Sequence, residues 1–191
     1  MSRWLLAAIS SLSPFGISIM VPLVPMLSIS LDRSVSELQY LFSIYVIGLA
    51  VSQPLFGLVT DRIGRRLVLL GGFAVFVGAS ILLIFVDTLG AMIFLRFMQA
   101  VGVGVGTVVA RGLIRDHLPP DEALKAFALL TAAMGFTPVI APVVGGYLAS
   151  LLGMASVFVV LAVRVAGLVL LSVKSIPAVG PGARGAGPKA A

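Results

Sequence analysis

Gly57-Leu58-Val59-Thr60-Asp61-Arg62-Ile63-Gly64-Arg65-Arg66 places four charged residues within six positions, between two runs, 38–60 and 67–86, that hold none. Each run is near the ~20 residues that cross a ~30 Å hydrocarbon core, so the decapeptide reads as an aqueous loop between two membrane helices. Working outward, further runs with at most one charge fall at 4–30, 89–110, 126–152 and 155–173, giving six candidate spans. Of the 191 residues, 60% are hydrophobic and 10% charged, and mean hydropathy is +1.18. A soluble domain carries roughly 45–50% apolar and about 25% charged residues, so a water-soluble fold is excluded. Continuous apolar runs of this length, not ~10-residue alternating segments, indicate helices and not a barrel.

The basic residues alternate between successive connections. Arg3 precedes the first run, Arg62, Arg65 and Arg66 follow the second, Arg111, Arg115 and Lys125 the fourth, and Lys174, Arg184 and Lys189 the sixth; Arg33 stands alone opposite them. Ten of the 13 Lys and Arg gather on one side, and Arg96 and Arg164 fall inside runs. By the positive-inside rule both termini are expected in the cytoplasm. The first run far exceeds the ~7–15 residue core of a signal peptide and is expected to remain as an uncleaved span. Domain organisation then reads as one six-span unit over 1–174 and, from its proline, glycine and alanine, a disordered cytoplasmic tail over 175–191.

Soluble-type chemistry finds little to work with. There is no cysteine, and His117 is the one histidine, so thiolate nucleophiles, disulfides and two-histidine metal sites cannot be written. No catalytic residue, metal ligand or cofactor is expected, nor is an enzyme. The pI near 10.5 does not point to nucleic acid, because the basic residues are spread over loops and not massed on a soluble face. Gly102, Gly106 and Ala110 recur at every fourth position of span four, a small-residue face suited to close helix contact.

The decapeptide resembles the cytoplasmic loop motif of the major facilitator superfamily of secondary transporters: glycine, three variable residues, then Asp-Arg-x-Gly-Arg-Arg. Arg96-Phe97-Met98-Gln99-Ala100-Val101-Gly102 is similar to the family's Arg-x-x-Gln-Gly-x-Gly pattern, with Ala100 for its first glycine. Ala141-Pro142-Val143-Val144-Gly145-Gly146 resembles the Gly-Pro-x-x-Gly-Gly pattern of its antiporters, with Ala141 for glycine. With Pro22, Pro25 and Arg115-Asp116, residues 10–150 look most like the bicyclomycin-resistance type of drug:proton exporter. The resemblance implies an all-α integral membrane protein of the inner membrane, its six helices forming one half of a major facilitator fold from two inverted three-helix repeats. It further implies multidrug efflux by proton-coupled antiport and alternating access, with a small amphipathic drug-like substrate, protons and the lipid bilayer as partners.

Residue roles follow in two layers. Glycines 57 and 64 are expected to let the loop turn and pack, while Arg62, Arg65 and Arg66 hold it beside anionic headgroups. Asp61 either forms ion pairs and helix-terminus contacts that break between conformations, or is a solvated acid in a basic anchor. The resemblance implies the first, a conformational gate of Gly57, Asp61, Arg62, Gly64, Arg65 and Arg66. Arg96, some seven residues inside span four, costs roughly 2.5–3.5 kcal/mol there and needs a partner. Gln99 shares its face; the alternative is snorkelling to the outer surface, where Asp32, Glu37 and Asp87 lie. The resemblance assigns Arg96 and Gln99 to substrate or proton coupling. Pro138 and Pro142 favour a bend and Gly145 and Gly146 close contact, a helix hinge or a static kink. Tyr45, Gln53, Thr107, Thr131 and Thr137 line a cavity or bond between helices, and His117 is expected in a solvated loop.

All seven acids lie at or outside the span ends, and Ser18-Ile19-Met20-Val21-Pro22 in span one offers only Ser18 as a polar side chain. The superfamily uses about twelve spans in two halves, and six are present here. Two copies, a second chain supplying the other half, or a truncated non-transporting remnant that pairs with other helices are the arrangements left open; the composition shift after Val173 favours the remnant.

Overall fold

The structure, a computed structural model, describes residues 2–175, leaving the side chains of Asp61, Lys174 and Ser175 outside that description. The tail expected beyond them therefore also lies outside the described residues. Helices α1 (Arg3–Ser10), α2 (Leu12–Ser18) and α3 (Leu23–Leu31) build the first span, and α4 (Val35–Leu38) is one turn leading into α5 (Tyr40–Ile63). Then come α6 (Arg65–Leu82), α7 (Leu89–His117), α8 (Pro120–Leu152) and α9 (Met154–Ser175). By length and composition α5 to α9 can each cross a membrane, and the first span makes a sixth crossing bent by 46° before Leu23.

Proline decides where that bend falls. Pro22 and Pro25 lack the N–H groups that the carbonyls of Ser18 and Val21 would accept in a regular helix. Across residues 19–22 the ladder tightens to i to i+3 bonds: Met20 N–H to Ile17 at 3.3 Å, Val21 N–H to Ser18 at 3.2 Å and Leu23 N–H to Met20 at 3.0 Å. In α8, by contrast, Pro138 and Pro142 sit inside one unbroken helix of 33 residues. The interrupted ladder thus belongs to span one, while Gly145 and Gly146 lie directly against it. A Cβ on Gly145 would meet the Ile19 carbonyl oxygen at 2.5 Å, and one on Gly146 would touch Pro22 at 3.4 Å.

The connection between spans four and five is shorter than its charge suggests. Arg111, Arg115, Asp116 and His117 continue α7, while Asp121, Glu122 and Lys125 belong to α8, so only Leu118 and Pro119 link them. His117 is a helical residue, its ring nitrogen 3.2 Å from the Leu113 carbonyl oxygen, and not a loop residue. Helix-terminus electrostatics explain the overrun: Pro120 opens α8 with Asp121 and Glu122 in its first turn, and Arg115 and His117 close α7. Gly64, at φ 99°, makes the turn from α5 to α6 that its place in the loop predicts. Gly57 does not turn the chain. It lies within α5, and a Cβ there would have nothing within 4 Å among the described residues.

Helix α7 is the centre of the bundle, and its glycines seat three neighbours. Gly102 lies so close to α6 that a Cβ would collide with the Gly72 carbonyl oxygen and the Phe76 backbone; Gly104 faces Ser52 of α5 and Gly106 faces Ile9 of α1. The largest contacts join α5 to α7, α1 and α2 to α8, and α6 to α7 and α9. Exchanging spans one to three with four to six maps span two on four to span five on one, and three on six to itself. Because three crossings are an odd number, the second unit begins at the opposite end, so the repeats are inverted.

Candidate functional site

Arg96 is fully buried, as is Gln99 one turn further along α7. The guanidinium donates through Nη1 to Gln99 Oε1 at 2.9 Å and through Nη2 to the Gly16 carbonyl oxygen of α2 at 2.9 Å. Gln99 Nε2 donates to Ser80 Oγ of α6 at 2.7 Å, and Ser80 in turn donates to the Phe76 carbonyl at 2.8 Å. The Tyr45 ring of α5 lies under the guanidinium, 4.2 Å from Cζ to the ring centroid. Arg96 thereby ties span four to spans one and two directly and, through Gln99, to span three. Snorkelling of Arg96 to the surface is ruled out: its partners are interior and neutral, and Asp32, Glu37 and Asp87 are not among them.

Two polar atoms in this cluster, Arg96 Nε and the Tyr45 hydroxyl, are buried and have no hydrogen-bond partner among the described residues. Buried polar groups are rarely left unmade, because an unsatisfied one costs about 1–3 kcal/mol. The cluster therefore has capacity for a further acceptor. Gly16 makes the arrangement sterically feasible, since a side chain there would occupy the place of the Tyr45 hydroxyl. Thr107 lies 3.5 Å from Ser13 between α7 and α2, and Thr137 bonds back to Ala133, whereas Thr131 and Gln53 are exposed. Among the described residues no three of His, Asp and Glu converge as a metal site would require.

A second set of contacts lies at the end carrying the basic loops. Arg65 donates to Asp116 Oδ2 on the last turn of α7, and Arg115 Nε stands 3.5 Å from Oδ1. Gly112 leaves room for the Arg65 guanidinium, which a Cβ would meet at 3.2 Å. Asp116 projects past the apolar run 89–110. Partial burial pushes its carboxyl up, but hydrogen bonds and charge from Arg65, then from Arg115, outweigh this and hold it below the usual carboxylate range. Arg3 pairs with Glu122 at 2.8 Å, joining spans one and five. Arg62 is exposed and Arg66 half-buried on the turn, and the Asp61 side chain lies outside the described residues.

Sequence reasoning paired Arg96 with Gln99 but missed Gly16 and Ser80. A backbone carbonyl on another helix has no sequence signature; Ser80 has one, as the single hydroxyl in the run 67–86. Asp116 was noted beside Arg115 but not as the acceptor for Arg65, 51 residues away.

Residues 6–191 match the family model described as Major Facilitator Superfamily. The chain is 35% identical over 147 residues to the Multidrug resistance protein MdtL of Escherichia coli O45:K1 (strain S88 / ExPEC) and to that of Escherichia coli O139:H28 (strain E24377A / ETEC), covering 76% of this chain and 38% of each relative. The chain belongs to the Major Facilitator Superfamily. It is an integral membrane protein, and at the level of the family it groups with carriers and not with enzymes. It spans about two fifths of the length of the curated relatives it matches.

Proposed function

We propose that the chain is the N-terminal half of a proton-driven multidrug exporter of the inner membrane, its basic end and both termini cytoplasmic. Supporting this are the multidrug resistance proteins among its relatives and the one-sided distribution of its loop charges. The carrying observation is the Arg96 cluster, a buried cation near mid-span held by neutral groups from spans one and four with one donor unused. Such an intramembrane ionisable group is by default a candidate functional site, and here it is suited to sense a substrate or a proton-dependent acceptor.

In this reading a second six-helix half or a second copy forms the opposite wall, and rocking of the halves alternates access to a small amphipathic drug. Gly57, Asp61, Arg62, Gly64, Arg65 and Arg66 form the gate at the cytoplasmic end, with Asp116 as one acceptor of the Arg65 latch. Pro138, Pro142, Gly145 and Gly146 accommodate rocking where span five lies on the bent first span. The test is accumulation of a fluorescent amphipathic dye in export-deficient cells expressing the chain, alone and with a second half, with and without a protonophore. Protonophore-sensitive lowering of dye is expected when both halves are present. Asp61→Asn and Arg96→Ala are each expected to abolish it at unchanged membrane abundance; undiminished export by both variants refutes the mechanism.

A further inference from the structure

Arg164 stands in the middle of the run 155–173, nine residues from either end. It is half-buried, and its guanidinium lies over the Phe15 ring of α2 at 4.0 Å from the centroid. Among the described residues it makes one hydrogen bond, from Nη2 to Ser11 Oγ at 3.2 Å; the Ser11 hydroxyl itself donates to the Ala8 carbonyl at 2.8 Å. An arginine carries five N–H donors and no acceptor, so most of this fork is uncommitted. None of the four ion pairs among the described residues includes Arg164.

Charge makes this more than a spare side chain. Phe15 and Gly16 lie within two residues of the middle of the run 4–30, so α2 is flanked near mid-span by two guanidiniums, Arg96 bonded to Gly16 and Arg164 stacked on Phe15. Every carboxylate of the chain lies at or beyond a span end. Among the described residues this interior holds two cations and no counter-charge, a costly state that an incoming anion relieves. A cation gains nothing there and meets like-charge repulsion. An aromatic base under a forked donor also suits a planar carboxylate or sulfonate, which can take two parallel N–H bonds.

We infer that Arg164, Ser11 and Phe15 form an anion-recognising subsite near the membrane midplane, which takes the carboxylate or sulfonate head of an amphipathic organic solute. The half thus prefers anionic over cationic compounds of equal size and apolarity. The inference rests on the transport reading for the meaning of the bound solute, while its test reads binding and not export, so the two fail separately.

The experiment uses the purified full chain in lipid nanodiscs and two probes that share a fluorophore: pyrenebutyrate, and the corresponding pyrenyl trimethylammonium cation. Tighter binding of pyrenebutyrate is expected. Arg164→Gln is expected to weaken it by about tenfold, the scale of a lost charge-assisted bond, without weakening the cation. Arg164→Lys keeps the charge but not the fork, and should retain the preference for the anion at intermediate affinity. Equal binding of both probes by the unaltered chain overturns the inference, as does an Arg164→Gln or Arg164→Lys chain that loses both probes alike. A lipid phosphate reaching this depth would satisfy the same donors. Discs with and without phosphatidylglycerol separate the sources: unchanged pyrenebutyrate affinity supports a solute site, and competition by the anionic lipid assigns the subsite to the headgroup and overturns the solute reading.

Discussion

The seat of Arg96 depends on one missing methyl group. The Tyr45 hydroxyl fills the space where a Gly16 side chain would be, and the Gly16 carbonyl accepts from Arg96, so Gly16→Ala must displace either the ring or the backbone. Overpacking of this kind costs about 1–3 kcal/mol, and a lower unfolding temperature of the detergent-solubilised chain is expected; an unchanged one would show that the ring moves freely. Ser80→Ala acts differently, by leaving the buried Gln99 Nε2 donor without its acceptor, at about 1–3 kcal/mol. Combining it with Gln99→Leu should cost less than the two changes added, because the orphaned donor is then gone. A fully additive pair would separate Gln99 from Ser80. At this scale the sequence discloses intrahelical neighbours, since residues three apart share a face, but not tertiary ones. Hence Arg96 and Gln99 could be paired on paper, while Gly16, Phe15 and Ser11 emerged only once span one was folded against spans four and six.

For the helices, glycines that look alike in sequence do different things. Gly102 lets α6 and α7 approach to backbone contact, and a Cβ there would stand 2.8 Å from the Phe76 nitrogen. Backbone cannot move aside as a side-chain tip can, so Gly102→Val is expected to exceed the usual ~1–3 kcal/mol of overpacking and to remove most monodisperse protein in size-exclusion chromatography. Gly57, within the loop motif but inside α5, faces open space. Gly57→Ala should therefore leave monodispersity and unfolding temperature unchanged, and any loss of export in that variant would locate its role at a surface outside the described contacts. A destabilised Gly57→Ala would contradict the open space. Apolar length and the charged connections disclosed the number of spans, and Gly64 its turn. They missed the overrun of α7 and α8 because polar residues end an apolar run without ending a helix, and charges that suit the helix termini extend it. The prolines of span five draw the expected bend to Pro138 and Pro142, whereas the interrupted ladder lies at Pro22 and Pro25 of span one and α8 runs on as one helix.

Across the whole molecule, the inverted repeat joins the local devices. Span five lies on span one as span two lies on span four, so the Gly145–Gly146 face against the bend at 19–22 and the Gly48 and Gly104 contacts between α5 and α7 are counterparts in the two repeats. The repeat is what the family resemblance implies, with little residue-level similarity between its two units, because a helix pair needs only small residues at the crossing and not the same ones. Which end faces the cytoplasm is a separate matter, carried by loop charge. Since the chain contains no cysteine, introduced cysteines report on it without background. Ser36 and His117 are both exposed and lie at opposite ends, the first in α4 and the second closing α7 beside the basic loops. If the ten basic residues set the orientation, a membrane-impermeant maleimide will label Ser36→Cys in intact cells and His117→Cys only after permeabilisation. The reverse pattern would place Arg65, Arg115 and Asp116 outside and so remove the cytoplasmic latch. Labelling of both in intact cells would mean that the chain does not hold a single orientation, and a transporter half that inserts both ways cannot present one gate to one side.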